Sequence, residues 1–313
     1  MKQQNPWVIG MLALGGMGAA VEIGCGPGDD CHITATCPTG SGGAGGGTTS
    51  DGGGTSGPGG AGTGGGDPST GGGGVGGDGG MGGAPPDPGT LLWEKRFGDA
   101  ESDRVEGIAA HPDGGFVVTG AFEGGLSFGT SNLISGGGED VFVAHLDSRG
   151  GESVGGAFRA AGNQTGRAVA CDPSGNTIIT GRFEGPSIDF GGGPLSATGS
   201  ADVFGVKFGP GGGFLWDRSF SGEGEDARGL TIGPNGDPIV TGIYGTTMTL
   251  GSALTGVSDS SNTFVSRLQS SGGSPSWARA AAMDRSMTRA DPISVATDGA
   301  GNIGIVVWAS PTV

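Results

Sequence analysis

The chain is short of the residues that most often do chemistry. It has three histidines, four cysteines and one tyrosine in 313 residues, and 15 Lys and Arg stand against 31 Asp and Glu. At a formal charge of −16 with no basic cluster, nucleic acid is excluded as a partner, because affinity for phosphate comes from clustered Lys and Arg. Anionic membrane surfaces are disfavoured for the same reason. No apolar run reaches the roughly 18 residues of a membrane span. Helix signals are missing too: no sustained 3.6-residue periodicity, and glycine every few residues. There is no G-x-S-x-G elbow, no H-E-x-x-H and no Cys–His pair at a catalytic spacing. The sequence therefore points to no catalytic residue, no cofactor and no metal.

Glycine is what the chain has in excess, 77 residues against an average share near ~7%. It follows no G-X-Y period, which excludes collagen. From Pro38 to Thr90 about half the residues are Gly, and the rest are mostly Ser, Thr, Ala, Pro and Asp. Such a stretch has almost nothing to bury and cannot offset the entropy of ordering its backbone. Residues 38–90 read as a disordered linker with an end-to-end distance on the order of 40 Å.

Ahead of the linker, Lys2 precedes an apolar stretch from Trp7 to Val21, the length of a signal-peptide core. Residues 1–24 read as a signal segment. VEIGCG resembles a bacterial lipoprotein signal, which implies lipid on Cys25 after Gly24 and attachment to the bilayer through that residue alone. Ordinary cleavage after Ala20 is the rival. Both readings export the chain, either to the envelope, as an outer-membrane lipoprotein facing outward, or as a secreted protein. Residues 25–37 would then form a Cys-containing mature N-terminus. Export permits a Cys31–Cys37 disulfide. A metal knuckle with His32 is disfavoured, since the cysteines are spaced too widely for zinc.

After Leu91 the sequence repeats about every 61 residues. Thr-Gly closes a β-rich run at Thr119–Gly120, Thr180–Gly181 and Thr241–Gly242. The preceding turn recurs as HPDGG, DPSGN and GPNGD, and a later block as EDVFVAHLD, ADVFGVKFG and SNTFVSRLQ. Phe142, Phe204 and Phe264 align; so do Phe97, Phe158 and Phe220, and Trp93, Trp216 and Trp277, with Val154 in the second copy. A fourth copy starts at Trp277 and runs through TDGAGNIGIVVW without the later blocks. Each unit reads as four short strands: a hairpin around the Gly-containing turn, a third strand in the DVF block, and a fourth from the Trp segment of the next copy. The expected fold is all-β, a β-propeller-like array of four-stranded blades with about 3.5 repeats over residues 91–313. Four blades is the lower limit of closure, so the array is expected to be incomplete.

The pattern W…F, GIAxxPDGxxxVTGxF, xFG and DVFVxxLD resembles the SBBP-type β-propeller repeats, over residues 92 to about 310. That resemblance implies a myxobacterial-type envelope protein on a Gly-rich lipoprotein stalk, exposed at the surface, with a binding or scaffold role. The implied partner is a protein or a glycan at the cell surface; a lectin-like module is the alternative, and an envelope enzyme a third reading with no residue set behind it.

Few polar residues compete for a site. His111 and His145 are replaced by unlike residues in the other copies and read as surface positions. Cys171 stands where the other copies have Ala110 and Ile232, and reads as a small buried hydrophobe. Glu223, Glu225 and Asp226 could hold a weak Ca²⁺, but the second copy carries no acid there, which favours ordinary loop carboxylates. The recurring Trp and Phe read as core between units before they read as a sugar platform.

Overall fold

The structure, a computed structural model, describes residues 9–10, 20–25, 31–36, 91–128, 131–222, 224–256, 262–280 and 287–311. Among these residues there is no helix, and the strands form several antiparallel sheets. The stretch read as a linker, Cys37, and the side chains of Cys25 and Cys31 lie outside the described residues.

Three complete units follow one another. In the first, β5 (Asp103–Ala110), β6 (Phe116–Phe122), β9 (Asp140–Leu146) and β10 (Glu152–Phe158) form a sheet in the spatial order β5-β6-β9-β10, with a side hairpin of β7 (Gly125–Phe128) and β8 (Ser131–Ile134). The second has β11 (Gln164–Cys171), β12 (Thr177–Glu184), β15 (Ala201–Phe208) and β16 (Phe214–Gly222), with β13 (Ser187–Asp189) and β14 (Pro194–Ser196) as its hairpin. The third has β17 (Asp226–Ile232), β18 (Pro238–Tyr244), β21 (Asn262–Leu268) and β22 (Pro275–Ala280); its hairpin of β19 (Thr247–Leu250) and β20 (Ser252–Thr255) pairs through β19 with β16 and extends the second sheet to six strands. The fourth strand of each unit is the opening segment of the next copy, as the sequence indicates, with Trp216 in β16 and Trp277 in β22 but Val154 in β10. The side hairpin corrects the four-strand reading. Its strands are three or four residues long and too weakly patterned to stand out from a loop.

Two further sheets flank these units. β23 (Met287–Thr297) and β24 (Ile303–Pro311) pair as a two-stranded sheet. At the other end β4 (Leu91–Phe97) pairs with β3 (Cys31–Thr36), which pairs with β2 (Ala20–Cys25) and then β1 (Ile9–Gly10). The sequence reading began the folded part at Leu91 and gave β4 no neighbour on this side. CHITAT supplies one, because its β-branched Ile33, Thr34 and Thr36 favour an extended pairing.

Sheets stack face to face, with the first strands of consecutive units, β5, β11, β17 and β23, in contact in that order. Side-chain alternation along the central strands feeds two cores at once. Phe142 and Ala144 of β9 join Phe97, Val118 and Phe122 on one face. Val141 and Val143 join Ile179, Phe183 and Phe204 of the next sheet on the other. Phe264 repeats the arrangement against Ile178 and Val203. Each side hairpin plugs the same core: Leu126 and Phe128 in the first, Ile188 and Phe190 in the second, Met248 and Leu250 in the third.

Candidate functional site

Most of the side chains that recur in the sequence are committed to architecture. Thr119, Thr180 and Thr241 are fully buried, and each hydroxyl donates across to the neighbouring strand's Phe142, Phe204 or Phe264 carbonyl at 2.7 Å. The glycine that follows is required by space. A Cβ on Gly120, Gly181 or Gly242 would stand 1.8, 2.0 or 2.2 Å from the backbone oxygen of Arg104, Thr165 or Asp226, and within 3.0 Å of the Phe ring. The Thr-Gly dipeptide is thus the socket of the DVF phenylalanine. The Asp that opens this block is buried: Asp140 accepts backbone N–H bonds from Gly136 and Ala160, and Asp202 from Thr198. Burial raises the pKa of both carboxyls.

The Trp and Phe of the last strand reach across to the following unit. Trp93 Nε1 donates to the Ser148 carbonyl at 3.2 Å, and Trp216 Nε1 to that of Ser270 at 3.0 Å. Each indole lies over a left-handed glycine of the same turn, Gly150 or Gly273, where a Cβ would come within 2.8 or 2.5 Å of the ring. The second copy has Val154 instead, and the matching turn glycine, Gly212, has nothing within 4 Å of its Cβ position. The strand bearing Val154 also shifts register between Ser153 and Gly156. Phe97 meets Phe128 and Phe158 meets Phe190 at ring distances of 4.5 and 5.0 Å. Phe220 is buried beside Met248 and Leu250. Trp277 is half-buried in β22.

A polar feature that the sequence reading did not single out lies on the first strands. Each of β5, β11 and β17 carries a β-bulge at the same place, leaving Glu106, Arg167 and Arg228 as the unpaired residues. A bulge re-aims its side chain, and here the three lie at a 61-residue spacing. They build one row of ion pairs across three sheets. Arg104 forks onto Glu139 and also meets Glu106 at 3.4 Å. Arg167 bridges Glu106 of the preceding sheet at 3.0 Å and Asp226 of the following one at 3.2 Å. Asp226 also takes Arg228 at 3.0 Å. The Glu139 carboxylate raises the Arg104 pKa further. Three arginines face three carboxylates, so the row is internally neutral. The spacing was a legible signal; the bulge was not.

At Asp226, one of the three acids weighed for a weak Ca²⁺, both carboxylate oxygens are engaged by arginine. Glu225 is buried and Glu223 lies outside the described residues. Among the described residues, no group of three or more metal-ligating side chains converges. The surface reading of the histidines is corrected. His111 is largely buried, with Nδ1 2.8 Å from Asp113 and Nε2 3.1 Å from the Gly175 carbonyl of the next unit. Its ring stands edge-on to His145 at 5.3 Å. Burial, and then His111, lower the His145 pKa. Cys171 is half-buried, and desolvation pushes its thiol up to about 12, so it is no poised nucleophile. Among the described residues no helix is long and apolar enough to cross a membrane.

No family model matches the chain, and no curated protein does. Among solved structures, a protein of unknown function from Bacteroides caccae aligns at 12% identity over 61% of this chain and 86% of its own, with a TM-score of 0.26. A likeness at that level carries no argument for fold or function.

Proposed function

We propose that the chain is an exported, non-catalytic binding or scaffold module of β-propeller-like build, held at the cell envelope by lipid on Cys25 and presented on the Gly-rich stretch of residues 38–90. One observation carries the reading. The side chains that recur from copy to copy are spent joining strand to strand and sheet to sheet, as the Thr-Gly sockets and the Trp clasps illustrate. That leaves the exposed loops between the strands for contacts with a partner, which is where a module of this kind makes them. The partner class is a protein or a glycan at the cell surface.

The test is metabolic labelling with a fatty-acid analogue, followed by protease treatment of intact cells. Wild type should carry label and be cleaved from outside, and Cys25→Ser should lose the label. Equal labelling of the two, or a mature N-terminus at Val21, contradicts the anchor. A glycan array probed with the mature chain separates a glycan-directed module from a protein-directed one.

A further inference from the structure

β24 presents an edge that the corresponding strands do not. β6, β12 and β18 each have a neighbour on both sides, whereas among the described residues β24 pairs with β23 alone. Register identifies what has changed. Val307 faces Pro292 and Val306 faces Ser294 across a bulge at Ile293, just as Gly242 faces Ala227 and Thr241 faces Gly229 across the bulge at Arg228. Val306-Val307 therefore stands where the complete units have Thr-Gly. The valines cannot form the Phe socket: Val306 has no hydroxyl to donate, and the side chain of Val307 fills the direction in which the Phe ring lies elsewhere. The Thr-Gly socket of the complete units is thus missing from β24.

The edge is nonetheless adhesive. From Ile303 to Val313 there is no charged residue, and Val306 and Val307 are 60% and 39% exposed. Natural edge strands are guarded by lysine, by inward charges or by proline within the strand; here the only proline, Pro311, sits at the very end of β24. The edge is nine residues long, uncharged and largely apolar, so an antiparallel pairing with itself opposes apolar residues and meets no charge repulsion.

We propose that β24 pairs with β24 of a second copy about a two-fold axis, giving the order β23-β24-β24-β23. This gives a four-stranded sheet, as many strands as the sheets of the first and third units have. Two-fold pairing closes on itself and stops at a dimer. The contact is a single strand pair, below the ~1,200 Å² of a stable interface, so the dimer is reversible and appears as concentration rises.

Sedimentation velocity of the full chain across a hundredfold concentration range tests this. Three proteins are compared: wild type, Val306→Lys, and Leu215→Lys, a control at a 52% exposed residue of β16. Wild type and Leu215→Lys should move from monomer towards dimer mass, and Val306→Lys should stay monomeric with an unchanged circular dichroism spectrum. A wild-type monomer at every concentration overturns the proposal. So does a Val306→Lys protein that associates like wild type, a Leu215→Lys protein that loses association equally, or growth past the dimer.

Discussion

The indole clasp between sheets can be tested within the chain, because one unit lacks it. Trp216 is buried, and its ring lies against Gly273, a residue at φ 70°. Trp216→Val removes most of that buried ring and the bond to Ser270, a loss of about 3 kcal/mol on the scale of large-to-small core changes. The Ser270 carbonyl keeps Lys207 Nζ at 3.3 Å, so no buried acceptor is orphaned. Gly273→Ala has two costs. The left-handed backbone costs an L-residue about 1–2 kcal/mol, and the new Cβ, 2.5 Å from the indole, adds an overpacking cost of about 1–3 kcal/mol. In the Trp216→Val background only the first cost should remain. Gly212→Ala supplies the control: φ is 77°, but nothing stands within 4 Å of the added Cβ, so about 1–2 kcal/mol is expected. Urea unfolding followed by circular dichroism, with unchanged m-values, reads all four variants. The reasoning fails if Gly273→Ala costs the same with and without Trp216, or no more than Gly212→Ala.

Gly242→Ala should be among the most damaging single-methyl additions, since its Cβ meets the Asp226 backbone oxygen at 2.2 Å. Gly304→Ala, with open space around it, should leave the melting temperature nearly unchanged; soluble yield and thermal melts separate the two. The Cys171 thiol, pushed up to about 12, favours the fold only while protonated. Its contribution is complete below the unfolded pKa near ~8.5 and is lost as pH rises towards 12. Alkylation at pH 8 should accordingly be slow until urea unfolds the chain, and Cys171→Ala should flatten the alkaline loss of stability. His145 has the opposite sign: with its folded pKa lowered, its contribution is present above about 6.5 and is lost as pH falls below it. His145→Gln should reduce the acid dependence of the unfolding midpoint.

The central strands were legible because nothing competes with their pattern. FVVTGAF and DVFVAHL alternate between two buried faces and are bounded by Gly turns, so period and punctuation agree. The Trp segment could be assigned to the preceding sheet for the same reason. The side hairpins were not legible. LSF and SID are too short to show a period, and what gives them away is Phe128 and Phe190 reaching into a core built by other strands. The ion-pair row escaped for a different reason. Glu106, Arg167 and Arg228 stand in strands that carry other polar residues, such as Arg104, Thr165 and Asp226, and only the bulge reveals that each is an added residue aimed out of the ladder. His111 looked expendable because its equivalents are Asp172 and Gly233. In space it touches the Gly175 carbonyl of the next unit, a contact that no within-copy comparison displays. The pairing of β3 with β4 spans the Gly-rich stretch, and local pattern carries no information across that distance.

Amide hydrogen exchange read by mass spectrometry tests the repeat architecture most directly. The slowest peptides should be the central strand pairs of all three units, 116–122 with 140–146, 177–184 with 201–208, and 238–244 with 262–268. Peptides over the turns between them should exchange faster, giving the same profile three times over. Protection confined to one unit, or slow exchange that ignores the repeat spacing, would contradict it.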